Sequence, residues 1–245
     1  MAHVMKLTKA GVGHMFAHYE RRQVNGEYVK FGNYKIDPER TGQNYNLVPD
    51  RGVSQLEFLE RRLSEVHCHK RKDVNVVCSW VVTMPKDLDP SRTHEFMQGS
   101  FDFLSARYGA ENVVSAYVHL DEERPHIHFA FVPVTYDRKK ELYKVCAKEV
   151  VSREDLRSFH RELKEYLEGR MRCPVNVLLT PEQRRAKKLQ AEQRHENHIA
   201  KQEKQATPQD PMRVTDIKAK IEQHAKPQKQ NKNFIAKRGL DFLRR

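Results

Sequence analysis

Three histidines and two carboxylates fall close together between Val118 and Pro133: His119, Asp121, Glu122, His126 and His128. Side chains alternate faces along a strand, so His126 and His128 share one face and Ile127, Phe129 and Phe131 take the other. In the preceding segment Val114, Ala116, Val118 and Leu120 form the apolar face. That puts His119 on the opposite face, with Ser115 and Tyr117. About six residues join the two segments, short enough for an antiparallel hairpin. Closing it sets His119 beside His126 and His128. Neutral imidazole is a good ligand for divalent transition metals, and three of them leave positions open for a substrate. A single strand histidine is usually satisfied by an ordinary hydrogen bond. Three converging on one face, with Asp121 and Glu122 in the connecting loop, point to a metal site.

The elements that must position this cluster are read from periodicity. Residues 2–8 read as a short strand, and residues 9–53 as loop-rich, with glycines at 11, 13, 26, 32, 42 and 52. Ser54 and Glu57 make a capping box, followed at helical spacing by Leu56, Leu59, Leu63 and Val66. The β-branched run 74–84 reads as a buried strand ended by Pro85. Phe96 or Met97, Phe101, Leu104 and Tyr108 mark the next helix. Residues 112–119 and 126–134 are strands. Ser152 opens a last helix with Leu156, Phe159, Leu163, Leu167 and Met171 on one face. Hairpin strands mixed with helices predict an α+β fold: a central antiparallel β-sheet with helices packed on it.

The 245 residues carry a formal charge of +12, unevenly placed. Residues 181–245 hold 17 Lys/Arg against 8 Asp/Glu, whereas residues 1–180 are nearly balanced. The expected division is a domain over 1–178 and a basic, Gln-rich, helical, partly flexible extension over 179–245. Thr180 and Pro181 provide its helix start, and Pro208 and Pro211 its break. The extension reads equally well as a solvated helix or as an arm for DNA or for a homodimer. Excess positive charge favours polyanions, nucleic acid first. No apolar run approaches the ~18–20 residues of a membrane span. The N-terminus lacks the apolar core of a signal peptide. Cys68, Cys78, Cys146 and Cys173 show no metal or disulfide spacing, as expected of a reducing cytoplasm.

The run from His119 through Asp121, Glu122 and Pro125 to His126 and His128 resembles the metal motif of the MobV (Pre/Mob) plasmid mobilization relaxases, which are HUH endonucleases. His18-Tyr19-Glu20-Arg21 resembles the family's N-terminal His-x-Glu-Arg motif. Asn44-Tyr45-Asn46-Leu47 resembles its Asn-Tyr-Glu-Leu motif, with Asn46 in place of the acid. The three motifs occur in family order and cover about residues 1–175.

The resemblance implies a relaxase that nicks one strand of plasmid DNA, single-stranded or supercoiled, at an origin of transfer. Such an enzyme holds the 5′ end covalently and rejoins it. The resemblance implies His119, His126 and His128 as ligands of Mn2+ or Mg2+; ligand softness alone leaves Zn2+ open. By motif position it implies His18 as nucleophile, with Tyr19 and Tyr45 as fallbacks. Arg21 is the expected phosphate ligand and Glu122 the expected acid that orients or deprotonates the nucleophile. Asp121 is expected to brace a metal-bound imidazole. Arg21, Asn44 and Tyr45 are the expected DNA contacts. Conjugation coupling proteins and accessory mobilization proteins are the further partners the resemblance suggests.

Three rivals share parts of this pattern: a rolling-circle replication initiator, a DNA-binding protein without catalysis, and a three-histidine zinc hydrolase. Tyr136 and Lys139 match an initiator's Tyr-x-x-Lys pattern but fall directly after the histidine strand, where a turn is expected. His67, Cys68 and His69 read as helix-end residues, not a second metal site.

Overall fold

The computed structural model describes residues 2–29 and 35–178, with isolated positions between 182 and 197. The chain divides into Met1–Thr180 and Pro181–Arg245. The expected basic extension therefore lies outside the described residues, apart from helical positions at 182, 185, 189, 192, 193 and 197.

The first unit is built on a five-stranded sheet. Its strands are β1 (Ala2–Thr8), β4 (Tyr45–Asn46), β5 (Asn75–Thr83), β6 (Val113–His119) and β7 (His126–Phe131). Their order is β1-β5-β7-β6-β4, and every neighbouring pair is antiparallel. β7 is the middle strand. It pairs on one side with β5, a β-branched run buried almost throughout, and on the other with β6.

Helices cover both faces, because both faces are apolar. Helix α1 (Lys9–Tyr19) and α2 (Gln55–Glu65) bury Val12, Met15, Phe16, Phe58, Leu59 and Leu63 against Val77, Val114, Ala130 and Val132. Helix α3 (Thr93–Tyr108) and α5 (Arg153–Met171) cover Trp80, Ile127, Phe129 and Phe131 on the other side. There Trp80 stacks on Phe159 with the rings 4° from parallel. A four-residue helix, α4 (Ala147–Val150), precedes α5. Two hairpins stand apart from the main sheet: β2 (Gln23–Val24) with β3 (Glu27–Tyr28), and β8 (Val134–Asp137) with β9 (Leu142–Val145).

Both expected capping residues, Ser54 and Ser152, accept from backbone amides at their helix starts, and Ser54 completes the capping box with Glu57. Three expectations need correction. Residues 9–19 are a helix, although Gly11 and Gly13 weaken its intrinsic propensity. Burial of Val12, Met15, Phe16 and Tyr19 holds it, as tertiary packing does for most protein helices. A bulge between Val113 and Ser115 turns Val114 to the α1–α2 face, so Val113 takes the expected place of Val114 beside Ala116 and Val118. Leu156, expected on the buried face of α5, is 39% exposed; the burial begins at Phe159.

Candidate active site

The hairpin β6–β7 brings the three histidines together as the alternation requires. His119 pairs directly with His126 in register, and Tyr117 with His128. Ring centroids are 5.3 Å apart for His119 and His126, and 4.7 Å for His119 and His128 and for His126 and His128. All three are buried on the α1 side of the sheet.

The end of α1 supplies the other wall. Arg21 N–H donates to His18 O and Arg22 N–H donates to Ala17 O, the bond pattern of a Schellman helix end. Arg21 stands at the left-handed position of that motif, with φ 55°, where glycine is usual. A non-glycine residue there costs of order 1 kcal/mol and persists only where its surroundings hold it. The hold is visible. The Arg21 fork donates Nε to Asp121 Oδ2 (2.9 Å) and Nη2 to Asp121 Oδ1 (2.7 Å). Nη2 also donates to Glu122 Oε1 (2.7 Å), and Nη1 lies 3.3 Å from His18 Nδ1. Arg21 and Asp121 side chains are 3% and 0% exposed.

This arrangement revises two expected roles. The Arg21 fork is engaged by carboxylates inside the protein, so it is not presented to a phosphate. Asp121 holds Arg21, with Thr41 Oγ1 as a second donor at 3.0 Å, and braces no imidazole. Burial is the largest single influence and would raise the Asp121 carboxyl; hydrogen bonds from Arg21, Asn44 and Thr41, with the Arg21 charge, together outweigh it and bring it down to about 2.

Segment 37–44 clamps the same loop. Arg40 Nη1 donates to Leu120 O, Asp37 N–H donates to Asp121 O, and Leu120 N–H donates to Asn44 Oδ1. Asn44 thus braces the site loop. Asn46 Oδ1 accepts from Val48 and Ala116 amides, an ordering role that needs no acid. Sequence reasoning missed Arg40 and Thr41, because they act on residues about eighty positions away and leave no local spacing.

The ring nitrogens identify which lone pairs are available. His119 Nε2 donates to Tyr19 O (2.9 Å), because a carbonyl only accepts. Its Nδ1 is therefore a bare lone pair, and it is buried without a partner. His126 Nδ1 donates to Arg124 O, which leaves Nε2, and that atom sits 3.0 Å from His128 Nε2. His128 Nδ1 is likewise buried without a partner. Burial, first among the causes, pushes all three imidazoles down, His119 to about 2, so they are neutral near pH 7.

A divalent ion suits these donors, because it uses buried lone pairs that nothing else in the fold satisfies. His119, Glu122 and His126 offer ligand atoms within 4.8 Å of one another, and so do His18, His119 and His128. The expected trio is thus divided between two groups, His126 falling with Glu122 and His128 with His18, while His119 belongs to both.

His18 lines a cavity of ≈ 240 Å³ together with Glu122, His126 and His128. Its ring stands 5.5 Å from His119 and 5.2 Å from His128. Burial and then Arg21 lower it to about 4. Its Nδ1 lies between a donor, Arg21 Nη1 at 3.3 Å, and an acceptor, Val29 O at 3.2 Å, and can serve only one; the bond to Val29 O puts the proton on Nδ1 and leaves Nε2 as the free lone pair.

Neither fallback nucleophile lines the His18 cavity. Tyr19 is 1% exposed, its hydroxyl is bonded to Ser79 Oγ (2.6 Å), and burial pushes its ionisation up. Tyr45 packs on the α3–α5 side of the sheet and stacks with His94. Tyr136 lines a different cavity from His18.

A five-stranded antiparallel sheet with a His-x-His pair on its middle strand, facing a third histidine, is the architecture of a relaxase-type domain. The comparisons agree. Residues 1–171 match the Mob_Pre model, described as plasmid recombination enzyme. A plasmid recombination enzyme of Lactiplantibacillus plantarum is 32% identical over 164 residues, 64% of this chain and 42% of the relative. One from Streptococcus agalactiae is 30% identical over 175 residues, 68% of this chain and 33% of the relative. Among solved structures, the Mn-bound MobM relaxase domain (MOBV; Mob_Pre) in complex with plasmid pMV158 oriT DNA superposes with a TM-score of 0.57 at 29% identity. That match covers 69% of this chain and 85% of that one. The chain belongs to the Mob/Pre family of plasmid recombination enzymes. It spans less than half the length of these two curated relatives.

Proposed function

We propose that this chain is a metal-dependent relaxase that cuts one strand of plasmid DNA at an origin of transfer and later rejoins it. The observation that carries the reading is the convergence of a buried, neutral His18 with His119, His126 and His128; His18, His126 and His128 line one cavity, and the His119 ring stands 5.5 Å from His18. The similar MobM domain, which carries Mn and origin DNA, supports it.

In this reading His119, His126 and His128 hold a divalent ion, with Glu122 in reach as a fourth ligand. The ion would polarise a phosphate oxygen as a Lewis acid. His18 Nε2 attacks the phosphorus: an N–P bond forms, the P–O3′ bond breaks, O3′ takes a proton from water and leaves as the hydroxyl, and the phosphorylated ring returns its Nδ1 proton to water. The 5′ end remains on His18 as a phosphoramidate, and the reverse attack by O3′ rejoins the strand. His18 is already neutral near pH 7, so it needs no base to expose its lone pair. Glu122 is then free to orient, and Arg21 positions it. Four free thiols and the lack, among the described residues, of any helix able to cross a membrane are compatible with this role.

The test requires no knowledge of the target. The chain is incubated with a random-sequence single-strand pool and Mn2+, and covalent adducts are isolated. The expected adduct maps to His18, is acid-labile as a phosphoramidate is, and disappears in His18→Ala. An acid-stable adduct on a tyrosine would replace this mechanism with that of a replication initiator. DNA binding without any adduct, under conditions where Mn2+ binds, would leave a non-catalytic DNA-binding protein.

A further inference from the structure

The β8–β9 hairpin carries a second cluster of DNA-compatible groups away from the histidines. Its turn is Arg138, Lys139, Lys140 and Glu141, all exposed, three cations and one acid. Tyr136 and Tyr143 are cross-strand partners on the hairpin, 48% and 60% exposed, with ring centroids 5.1 Å apart. A remote segment joins them. His67 N–H donates to Tyr143 O and Val145 N–H donates to His67 O, both at 2.9 Å, so the segment after α2 runs as a third, parallel rung beside β9. That segment continues into His69, Lys70, Arg71 and Lys72, again exposed.

The hairpin with its basic turn and the segment that leads into Lys70, Arg71 and Lys72 therefore meet at His67 and Lys144, next to Tyr143. Among the described residues no carboxylate pairs with Lys70, Lys72, Arg138, Lys139 or Lys140. Lys144 between them is held by Asp137 and Glu149, and Arg71 has only the exposed Asp73.

Solvated lysines alone would be unremarkable in a chain of net charge +12. The tyrosines change the reading: they stabilise the hairpin as a cross-strand pair, and their exposure also leaves ring surface on which a base can stack. A cavity of ≈ 390 Å³ opens beside them, lined by Glu65 and Glu111 and by Arg62, which pairs with Glu65. Carboxylates there repel a phosphate but accept from the amino group of a base. The cavity suits a base and the flanking cations suit the backbone. Stacking platforms between cations are how single-stranded DNA is held without sequence readout.

We propose that this face, formed by residues 67–72 and the β8–β9 hairpin, is a second contact surface for single-stranded DNA, separate from the site of cutting. The proposal rests on the DNA-processing function above. It extends the contact with the strand to the end of β7 opposite His126.

The test measures binding of the full chain to a mixed-sequence single strand of about 30 nucleotides, long enough for more than one binding groove, across a salt series. The variants are Lys70/Arg71/Lys72→Gln, Arg138/Lys139/Lys140→Gln and Tyr143→Ala. A control removes three exposed charges from α5 (Arg153/Arg157/Arg161→Gln). Removing three phosphate contacts should make the salt slope shallower by about 2 and weaken binding about tenfold or more in either hairpin-face triple. Tyr143→Ala should weaken binding about fivefold or more with the slope unchanged. Mn2+ binding should stay unchanged in all variants, which verifies that the domain is intact.

No DNA binding by the unaltered chain would overturn both the function and this surface. Normal binding with unchanged affinity and slope in the variants would overturn the surface alone. Equal losses in the α5 control would reduce it to net charge. Stronger retention of a duplex than of the strand, lost in the same variants, would reject single-stranded DNA as the occupant.

Discussion

His126 Nε2 and His128 Nε2 lie 3.0 Å apart, on rings that burial keeps from protonating. Two neutral imidazoles can share one hydrogen bond across that distance. The fold also leaves His119 Nδ1 and His128 Nδ1 buried and unsatisfied, each of which costs about 1–3 kcal/mol. A cation that binds the native cluster and not the unfolded chain recovers part of this cost. Mn2+ at about a hundred times its dissociation constant should add about 2.7 kcal/mol of stability. For a domain of this size that is a rise in Tm of about 5–10 °C. Scanning calorimetry with and without chelator measures it. His126→Ala should abolish the metal-dependent rise, and a rise that survives in the variant would place the ion elsewhere.

Breaking the Arg21–Asp121 pair should be expensive. Both groups are buried, and Asp121→Asn leaves a guanidinium inside the protein with a weaker acceptor. Loss of one partner of a buried pair costs about 3–5 kcal/mol. Urea denaturation of Asp121→Asn should show that loss. An effect below about 1 kcal/mol would mean that Glu122 alone satisfies Arg21.

The metal-free protein should weaken in mild acid, through histidines before carboxylates. His18 ionises near 6.5 when unfolded and near 4 when folded. Between those values the unfolded chain binds the extra proton, so stability falls as pH drops through 6.5 towards 4. For His18 alone the loss approaches about 3 kcal/mol. His119, lowered to about 2, extends the same trend further down. Asp121 acts only below about 3.8, its ordinary value, where its stabilising pair with Arg21 begins to be lost. Denaturation midpoints in chelator from pH 7 to 4 provide the check. A flat profile would show that these imidazoles are solvated.

Tyr19→Phe distinguishes packing from chemistry. The substitution removes the hydroxyl bonded to Ser79 and leaves the ring against His128. It should cost about 1–2 kcal/mol in stability and leave the covalent adduct intact. Loss of the adduct in Tyr19→Phe, with Mn2+ binding preserved, would return Tyr19 to the nucleophile's role.

The histidine trio was legible because strand alternation is rigid: a period of two and a short connection allow His119, His126 and His128 only one face. The capping box at Ser54 was legible for a similar reason, being complete within four residues. What alternation cannot reveal is a residue inserted into it, and the bulge beside Val114 reversed that side chain. Helix α1 was illegible because its glycines argue against a helix that only the sheet makes stable. Arg21 was visible as a motif residue, but its role was not. A left-handed arginine pointing inwards is decided by partners one hundred positions away. The clamp of Arg40 and Thr41 on the loop at Asp121 was hidden for the same reason.

The placement of β7 in the middle of the sheet has a kinetic consequence. Edge strands and termini open by local fluctuation, whereas amides of a central, fully covered strand exchange only when the whole domain unfolds. The strand bearing His126 and His128 is paired on both sides and covered on both faces. Its hydrogen exchange should be among the slowest in the molecule. Under the proposed cutting and rejoining, the histidines that would hold the ion would be the last part of the site to come apart.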